Sequence, residues 1–82
     1  MLQKKLGRRI ADLRKKQGLT QVELGKRVGC SVGFISLVER GVNAPSVFGL
    51  ETFANALKVE VVDLFTFKRK QRPRNVRAAK RS

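Results

Sequence analysis

Apolar residues recur at spacings of three and four positions near the start of the chain, a pattern typical of an amphipathic helix packed on a core. The repeating positions are Leu2, Leu6, Ile10 and Leu13. They predict a first helix over residues 2–17, which Gly18 is expected to close. The opposite face of this helix is basic, and its Lys and Arg side chains fit either a solvated surface or contact with phosphate groups.

Residues 19–41 predict two short helices joined by a tight turn. Thr20 and Glu23 have the spacing of a capping box, in which each side chain accepts a hydrogen bond from a free backbone N–H at the helix start. This places one helix over residues 21–28. Gly29 is expected to end it, because a left-handed backbone costs least in a residue without a Cβ.

The second helix of this pair is expected to begin after Ser31, whose hydroxyl is well placed to cap it, and to run to about Arg40 before Gly41 stops it. Gly25 leaves room for the two helices to cross closely. The apolar residues expected to face one side are Leu19, Leu24, Val28, Ile35 and Val38. The order of helix, short turn and helix is that of the helix-turn-helix motif.

Two further helices are predicted after Pro45, which ends the intervening turn. Ser46 is expected to cap the fourth helix. Its buried positions would be Val47, Leu50, Phe53, Ala54 and Leu57. Phe48 falls outside this pattern and is expected on the surface, as an isolated aromatic or as part of a partner surface. A last short helix over residues 61–67 would contribute Val61, Leu64 and Phe65 to the core.

Together these patterns resemble the lambda-repressor-like, or Xre-type, helix-turn-helix family. The resemblance covers about residues 10–65 and is carried by the runs LTQVELGKRVG, CSVGFISLVERG, NAPS and ETFANALKVEVVDLF. Its most specific parts are Leu19-Thr20-Gln21, Ile35-Ser36, Glu39-Arg40-Gly41, Pro45-Ser46 and Asp63-Leu64-Phe65. It implies an all-α fold, a compact five-helix lambda-repressor-like domain whose helices 2 and 3 form the helix-turn-helix, as in small phage repressors and restriction-modification controller proteins.

The charge of the chain is high and unevenly distributed. Among 82 residues, 19 Lys and Arg stand against six Asp and Glu, which gives a net charge of +13 suited to nucleic acid or an anionic membrane surface. Residues 1–67 carry a net +5, and residues 68–82 carry a net +8 with no acidic residue. We therefore expect a helix-turn-helix domain over residues 1–67 and a disordered basic tail over residues 68–82, since the tail has few large apolar residues to offset its ordering entropy.

The basic tail fits two roles, a solubilising appendage or an arm that lies in the minor groove or along phosphates of DNA. Its lack of acidic residues favours the arm. The tail residues expected to contact DNA are Lys68, Arg69, Lys70, Arg72, Arg74 and Arg77.

The residue types that an enzyme uses are largely missing. The sequence has no histidine, a single cysteine (Cys30), no phosphate-binding glycine motif and no carboxylate pair in a plausible cleft. One cysteine excludes an internal disulfide and, without histidine, a Cys/His metal set, and no cofactor is implied. No run approaches the roughly 20 apolar residues of a membrane span, and the N-terminus lacks a secretion signal. We expect a soluble, cytoplasmic and nucleoid-associated protein without a membrane partner.

The family resemblance implies roles for three polar residues of the first three helices. Arg14 would form a buried ion pair with Glu39, near the end of the recognition helix; the alternative is two independent surface charges. Gln21, at the start of the second helix, would grip a DNA phosphate and brace the recognition helix, rather than being a simple exposed helix former.

The positions that read bases in this family fall on Ser31, Val32, Gly33, Ser36 and Leu37. Family members commonly place Arg, Gln, Ser or Thr at several of them, because bidentate contacts to guanine or adenine need such groups. Here thymine methyl contacts, serine hydroxyl contacts and readout of DNA shape remain. Phe34 is expected to be half core and half contact surface. The full set expected at DNA is Gln21, Ser31, Val32, Gly33, Phe34, Ser36, Leu37, Arg40 and Asn43.

Val62 and Phe67 are apolar residues left over from the core pattern of the last helix. In related repressors and controller proteins this end of the domain makes a two-fold dimer contact, which would pair two recognition helices on a palindromic site. The alternative is a monomer whose tail covers these side chains.

Two classes of function fit the sequence. The favoured one is a homodimeric transcriptional regulator that binds double-stranded DNA sequence-specifically, with the recognition helix in the major groove of a palindromic operator. The other is an adaptor of the same fold, as in antitoxins, whose apolar recognition face binds a protein partner of unknown identity, while the tail binds DNA non-specifically. Their salt dependence would differ, because phosphate contacts weaken steeply with salt and apolar contacts do not.

Overall fold

Five α-helices make up the fold in the computed structural model, which describes residues 1–67. They are α1 (Leu2–Lys16), α2 (Gln21–Val28), α3 (Val32–Glu39), α4 (Val47–Ala56) and α5 (Val61–Leu64). Residues 1–67 contain no β-strand, and the predicted all-α five-helix class is confirmed. None of the helices in this range is long and apolar enough to cross a membrane. The expectations for the basic tail lie outside the described residues.

Helix α1 buries Leu6, Ile10 and Leu13 against the other helices. Leu2 was expected to join them but is 61% exposed, because it lies a full turn before the first core residue. Gly18 follows the helix with a φ of +71°, and the side-chain amide of Gln17 donates a hydrogen bond to the carbonyl oxygen of Leu57. This bond ties the end of α1 to the end of α4.

Local capping interactions set the bounds of α2. The Thr20 hydroxyl accepts a hydrogen bond from the Glu23 backbone N–H at 3.0 Å, and the Glu23 carboxylate accepts one from the Thr20 N–H at 2.8 Å. This second bond holds the pKa of Glu23 below its ordinary value. Gly29 ends the helix with a φ of +85°, as the sequence predicts.

Helix α3 packs tightly across α2. The Ser31 hydroxyl caps its first turn by accepting a hydrogen bond from the Phe34 N–H at 3.1 Å. The close crossing depends on Gly25, where a Cβ would lie 2.7 Å from the carbonyl oxygen of Cys30. Ile35 and Val38 are buried on the inner side of α3, while Leu19 and Val28 pack at the edge of the core.

Helices α4 and α5 close the core from the other side. The Ser46 hydroxyl caps α4 by accepting from the Gly49 N–H at 3.0 Å. The core residues from these helices and the turn between them are Phe53, Ala54, Ala56, Leu57 and Leu64. Val47 was expected in this set but is 75% exposed, because the first turn of α4 extends beyond the core; Phe48 is on the surface as expected.

The last helix is shorter than predicted. It ends at Leu64 instead of Phe67, so a single turn faces the core and only Leu64 is fully buried there. The prediction that Phe65 belongs to the core is wrong, since its side chain is 36% exposed. Its ring instead packs edge-to-face against Phe67, with centroids 6.3 Å apart. Val62 is 68% exposed, which leaves apolar surface at this end of the domain.

Candidate nucleic-acid interface

The C-terminal end of α3 is fixed by a buried ion pair to α1. The Arg14 guanidinium donates from Nε to Glu39 Oε2 at 2.6 Å and from Nη2 to Glu39 Oε1 at 3.1 Å. Its Nη1 donates to the carbonyl oxygen of Leu19 at 2.8 Å. The two charged side chains are only 11% and 7% exposed. The structure thus brings together the two residues for which the family resemblance implies a pair.

Gln21 extends this network to the start of α2. Its Nε2 donates to Glu39 Oε1 at 2.9 Å, so the carboxylate of Glu39 accepts from both Arg14 and Gln21. A primary amide nitrogen carries two hydrogens, and a second acceptor can bind the hydrogen that Glu39 does not take. Helices α1, α2 and α3 are therefore held in one arrangement by a single carboxylate, and the amide of Gln21 lies at the N-terminus of α2.

A second contact between α1 and α3 depends on Gly7, a residue that sequence reasoning missed. A Cβ on Gly7 would lie 2.8 Å from the carbonyl oxygen of Glu39 and closer still to that of Val38. Nearby, the side chain of Gln3 donates to the carbonyl oxygen of Gly41 at 2.8 Å. The sequence did contain a signal of this contact, a glycine inside a helical pattern. Such a residue lowers helix propensity and often marks a place where another helix approaches closely.

The outer side of α3 carries four neighbouring residues, three with side chains and one glycine. At about 100° per residue, they fall within an arc of about 140°, opposite the buried Ile35 and Val38. We call this surface the α3 face; it consists of Val32, Gly33, Ser36 and Leu37. Val32 is 46% exposed, Gly33 is exposed, and Ser36 and Leu37 are half-buried.

The remaining residues predicted to lie at DNA surround the α3 face. Ser31 is exposed at its N-terminal edge, and Phe34 is half-buried against the core. Arg40 and Asn43 are exposed beyond its C-terminal edge, where the Asn43 N–H donates to the Leu37 carbonyl oxygen at 3.3 Å. Together, the α3 face and the residues around it offer methyl groups, hydroxyls, one guanidinium and one amide.

Two arginines outside this surface have structural partners that the sequence did not indicate. Arg9 donates from Nε to the carbonyl oxygen of Asp63 at 2.8 Å, which joins α1 to α5. Arg27 donates from Nη1 to the carbonyl oxygen of Ala56 at 3.2 Å, which joins α2 to the end of α4. Both side chains donate to carbonyl groups in the last turn of a helix. Part of the basic charge therefore holds the helices together.

The fold of this chain occurs in known proteins. The profile of the helix-turn-helix family HTH_3 matches residues 10–64. The uncharacterised HTH-type transcriptional regulator y4dJ of Sinorhizobium fredii is 42% identical over 65 residues, which are 79% of this chain and 84% of that protein. The restriction-modification controller protein C.AhdI of Aeromonas hydrophila superposes with a TM-score of 0.73 at 34% identity, covering 76% of this chain and 94% of that one.

A third comparison is with a protein solved in complex with DNA. The P22 c2 repressor bound to a synthetic operator superposes with a TM-score of 0.70 at 36% identity, covering 74% of this chain and 92% of that one. The similarity therefore includes the helix-turn-helix and most of the five-helix fold.

Proposed function

This chain belongs to the lambda-repressor-like, Xre-type helix-turn-helix family, and from that premise we propose that it is a sequence-specific transcriptional regulator acting as a homodimer on a palindromic operator. The family consists of DNA-binding transcriptional regulators and not of enzymes. The P22 c2 repressor, which shares this fold, is known in complex with a synthetic operator. The partner in our proposal is likewise double-stranded DNA, with α3 in the major groove.

The observation that carries the proposal is that contacts from α1 and α2 hold α3 in a fixed position. Arg14 and Gln21 both donate to Glu39, and Gly7 allows α1 to touch the backbone at the end of α3. A helix held in this way keeps its outer side in a fixed orientation without using the residues of the α3 face. Rigid support of this kind lets side chains meet base edges with reproducible geometry.

The chemistry of the α3 face defines what it would read. Val32 and Leu37 offer methyl groups that suit the C5-methyl of thymine, and the Ser36 hydroxyl can donate to or accept from a base edge. In the proposed complex Gln21 and the free N–H groups at the start of α2 bind a phosphate. Arg40 and Asn43, at the C-terminal end of α3, would add contacts to the DNA backbone. Phosphate contacts position the domain, and base contacts specify the sequence.

The end of α5 is the proposed dimer contact. Val62 is 68% exposed and Phe65 36% exposed, and Phe67 lies edge-to-face against Phe65. Burial of these side chains against a second copy would remove apolar surface from water. A two-fold contact also places two copies of α3 on symmetric half-sites, as a palindrome requires. With DNA as the partner, the protein would be cytoplasmic and nucleoid-associated.

The alternative is an adaptor that binds a protein through apolar surface. It is favoured by the exposure of three apolar side chains: Val32 on α3 (46%), Val42 in the turn that follows α3 (55%) and Phe48 on α4 (81%). Apolar association keeps its strength as salt rises, whereas binding to several phosphates weakens steeply. A salt titration of complex formation therefore separates the two functions.

Selection of bound sequences from a random pool of double-stranded DNA tests the proposal directly. We expect the full chain to enrich a palindrome whose half-sites lie about one helical turn apart. Ser36→Ala should change the enriched sequence within each half-site, because it removes a hydroxyl from the α3 face. Thr52→Ala, which removes an exposed hydroxyl on α4, serves as the control and should leave the enriched sequence unchanged. A pool without enrichment contradicts sequence-specific binding.

A further inference from the structure

Gly33 is the second residue of α3, and the fold gives no reason for a glycine at this position. It is exposed, and apart from its two chain neighbours and the backbone of its own helix, the nearest atom within residues 1–67 to a Cβ built there is Ser31 Oγ at 3.8 Å, an ordinary van der Waals distance. Alanine has a much higher helix propensity than glycine. An alanine here would therefore fit the fold and favour the helix.

The other glycines of the chain all have a structural reason. Three have a positive φ, which side chains disfavour: Gly18 at +71°, Gly29 at +85° and Gly41 at +77°. Of the other three, Gly7 and Gly25 have a backbone carbonyl oxygen too close to an added Cβ, and at Gly49 an added Cβ would be in tight contact with the Cβ of Pro45 at 3.1 Å. Gly33 is the single glycine of the seven in the sequence that satisfies neither condition.

The position of Gly33 indicates what the missing side chain permits. Ser36 and Leu37 follow it by three and four residues, so all three lie on the same side of α3. The first turn of a recognition helix is the part that contacts base edges. The hydroxyl of Ser36 is on a short side chain, and it reaches a base only if the helix backbone comes close to the floor of the major groove. A side chain at position 33 would lie between the helix backbone and the base edges and keep them apart.

We propose that Gly33 determines site preference by allowing the backbone of α3 to approach the base edges closely. The partner surface it accommodates is the major-groove edge of a base pair in double-stranded DNA. Close approach of a backbone to a ligand is a recognised use of glycine. This inference rests on the proposed function, since it requires that α3 reads DNA.

The test compares the full chain with Gly33→Ala, Gly33→Gln and the control Thr52→Ala. Each is titrated against the sequence selected by the unmodified chain and against a scrambled sequence, and its melting temperature is measured. Gly33→Ala should raise the melting temperature yet weaken binding to the selected site roughly tenfold, the effect of about one mismatched base pair. Binding to the scrambled site should not change. Thr52→Ala should leave both affinities unchanged.

Gly33→Gln tests the proposal in a second way, by a change in the DNA sequence that the protein prefers. Glutamine pairs with adenine edges, so selection with this variant should return a site altered by at least one base pair in each half. Equal affinity of Gly33→Ala and the unmodified chain for the selected site overturns the inference, as does an equal loss on both sites or a lowered melting temperature. If the unmodified chain selects no sequence at all, the proposed function itself fails.

Discussion

Arg14 in α1 and Glu39 at the end of α3 are joined by two hydrogen bonds, of 2.6 and 3.1 Å, with both side chains almost completely buried. Glu39 also accepts from Gln21, so one carboxylate fixes three helices. None of these three residues belongs to the α3 face. The orientation of the proposed reading surface therefore depends on residues that do not themselves contact base edges.

The first prediction is that Glu39→Ala destabilises the domain strongly. The change leaves the Arg14 guanidinium buried without its counter-charge, which costs about 3 kcal/mol or more. Because a small domain has only about 5 kcal/mol of stability, the melting temperature should fall by roughly 10 to 20 °C. Glu51→Ala, the same change at an exposed position, is the control and should shift it little. Equal melting temperatures for the Glu39 variant and the unmodified chain would contradict a stabilising role for the pair.

A second prediction concerns the close contact of α1 with α3 at Gly7. In Gly7→Ala the added methyl group would overlap the carbonyl oxygens of Val38 and Glu39, so the helices must move apart. Overpacking of this kind costs about 1 to 3 kcal/mol, more than the helix propensity gained. Denaturant unfolding should show a lower midpoint for Gly7→Ala and a higher one for Gly33→Ala. The same glycine-to-alanine change is thus expected to lower stability at position 7 and to raise it at position 33. A higher midpoint for both variants would refute the proposed tight packing at Gly7.

The third prediction tests the dimer contact at the end of α5. Changing Val62 and Phe67 together to serine should give a folded monomer, because it removes apolar groups that a second copy would cover. Sedimentation equilibrium should show the loss of dimer, and affinity for a full palindrome should fall towards that for a half-site. Leu2→Ser, at a residue 61% exposed on α1, is the control and should leave the dimer intact. An unmodified chain that stays monomeric at every accessible concentration would rule out the proposed contact.

The fourth prediction separates the contributions of the domain and the basic tail. Deleting the chain after Phe67 removes eight of the 19 basic residues and no acidic one. Binding should weaken at low salt, and the slope of log K against log salt should flatten by roughly 0.9 for each phosphate that the tail no longer neutralises. The preference for a selected site over a scrambled one should remain, since the tail would bind phosphates and not bases.

The measurement is a salt titration of the full and truncated chains on both sites. Fewer than eight phosphates should register in the slope, because charges in solution are screened over about 10 Å at ordinary salt. Unchanged slopes would make the tail a solubilising appendage. Loss of the site preference would instead make the tail the reader of the sequence.

The sequence by itself determined where the helices begin and end around the helix-turn-helix. Thr20 with Glu23, then Ser31 and Ser46, cap the three central helices as predicted, and Gly29 ends α2. These features are readable because a cap involves residues only two or three positions apart, whose geometry is set locally. The pairing of Arg14 with Glu39, which are distant in the chain, was predicted only from the resemblance to the family.

Only the tertiary structure decided which residues of each apolar pattern are buried and which polar groups join the helices. Leu2, Val47 and Phe65 follow the periodicity of the core but are exposed, because Leu2 and Val47 lie in first helical turns that extend beyond the core and Phe65 follows the end of α5. Gln17 and Arg9 look like surface residues yet bind the carbonyl oxygens of Leu57 and Asp63. Periodicity gives the direction in which a side chain points; how far the neighbouring helices extend depends on contacts between residues distant in the chain.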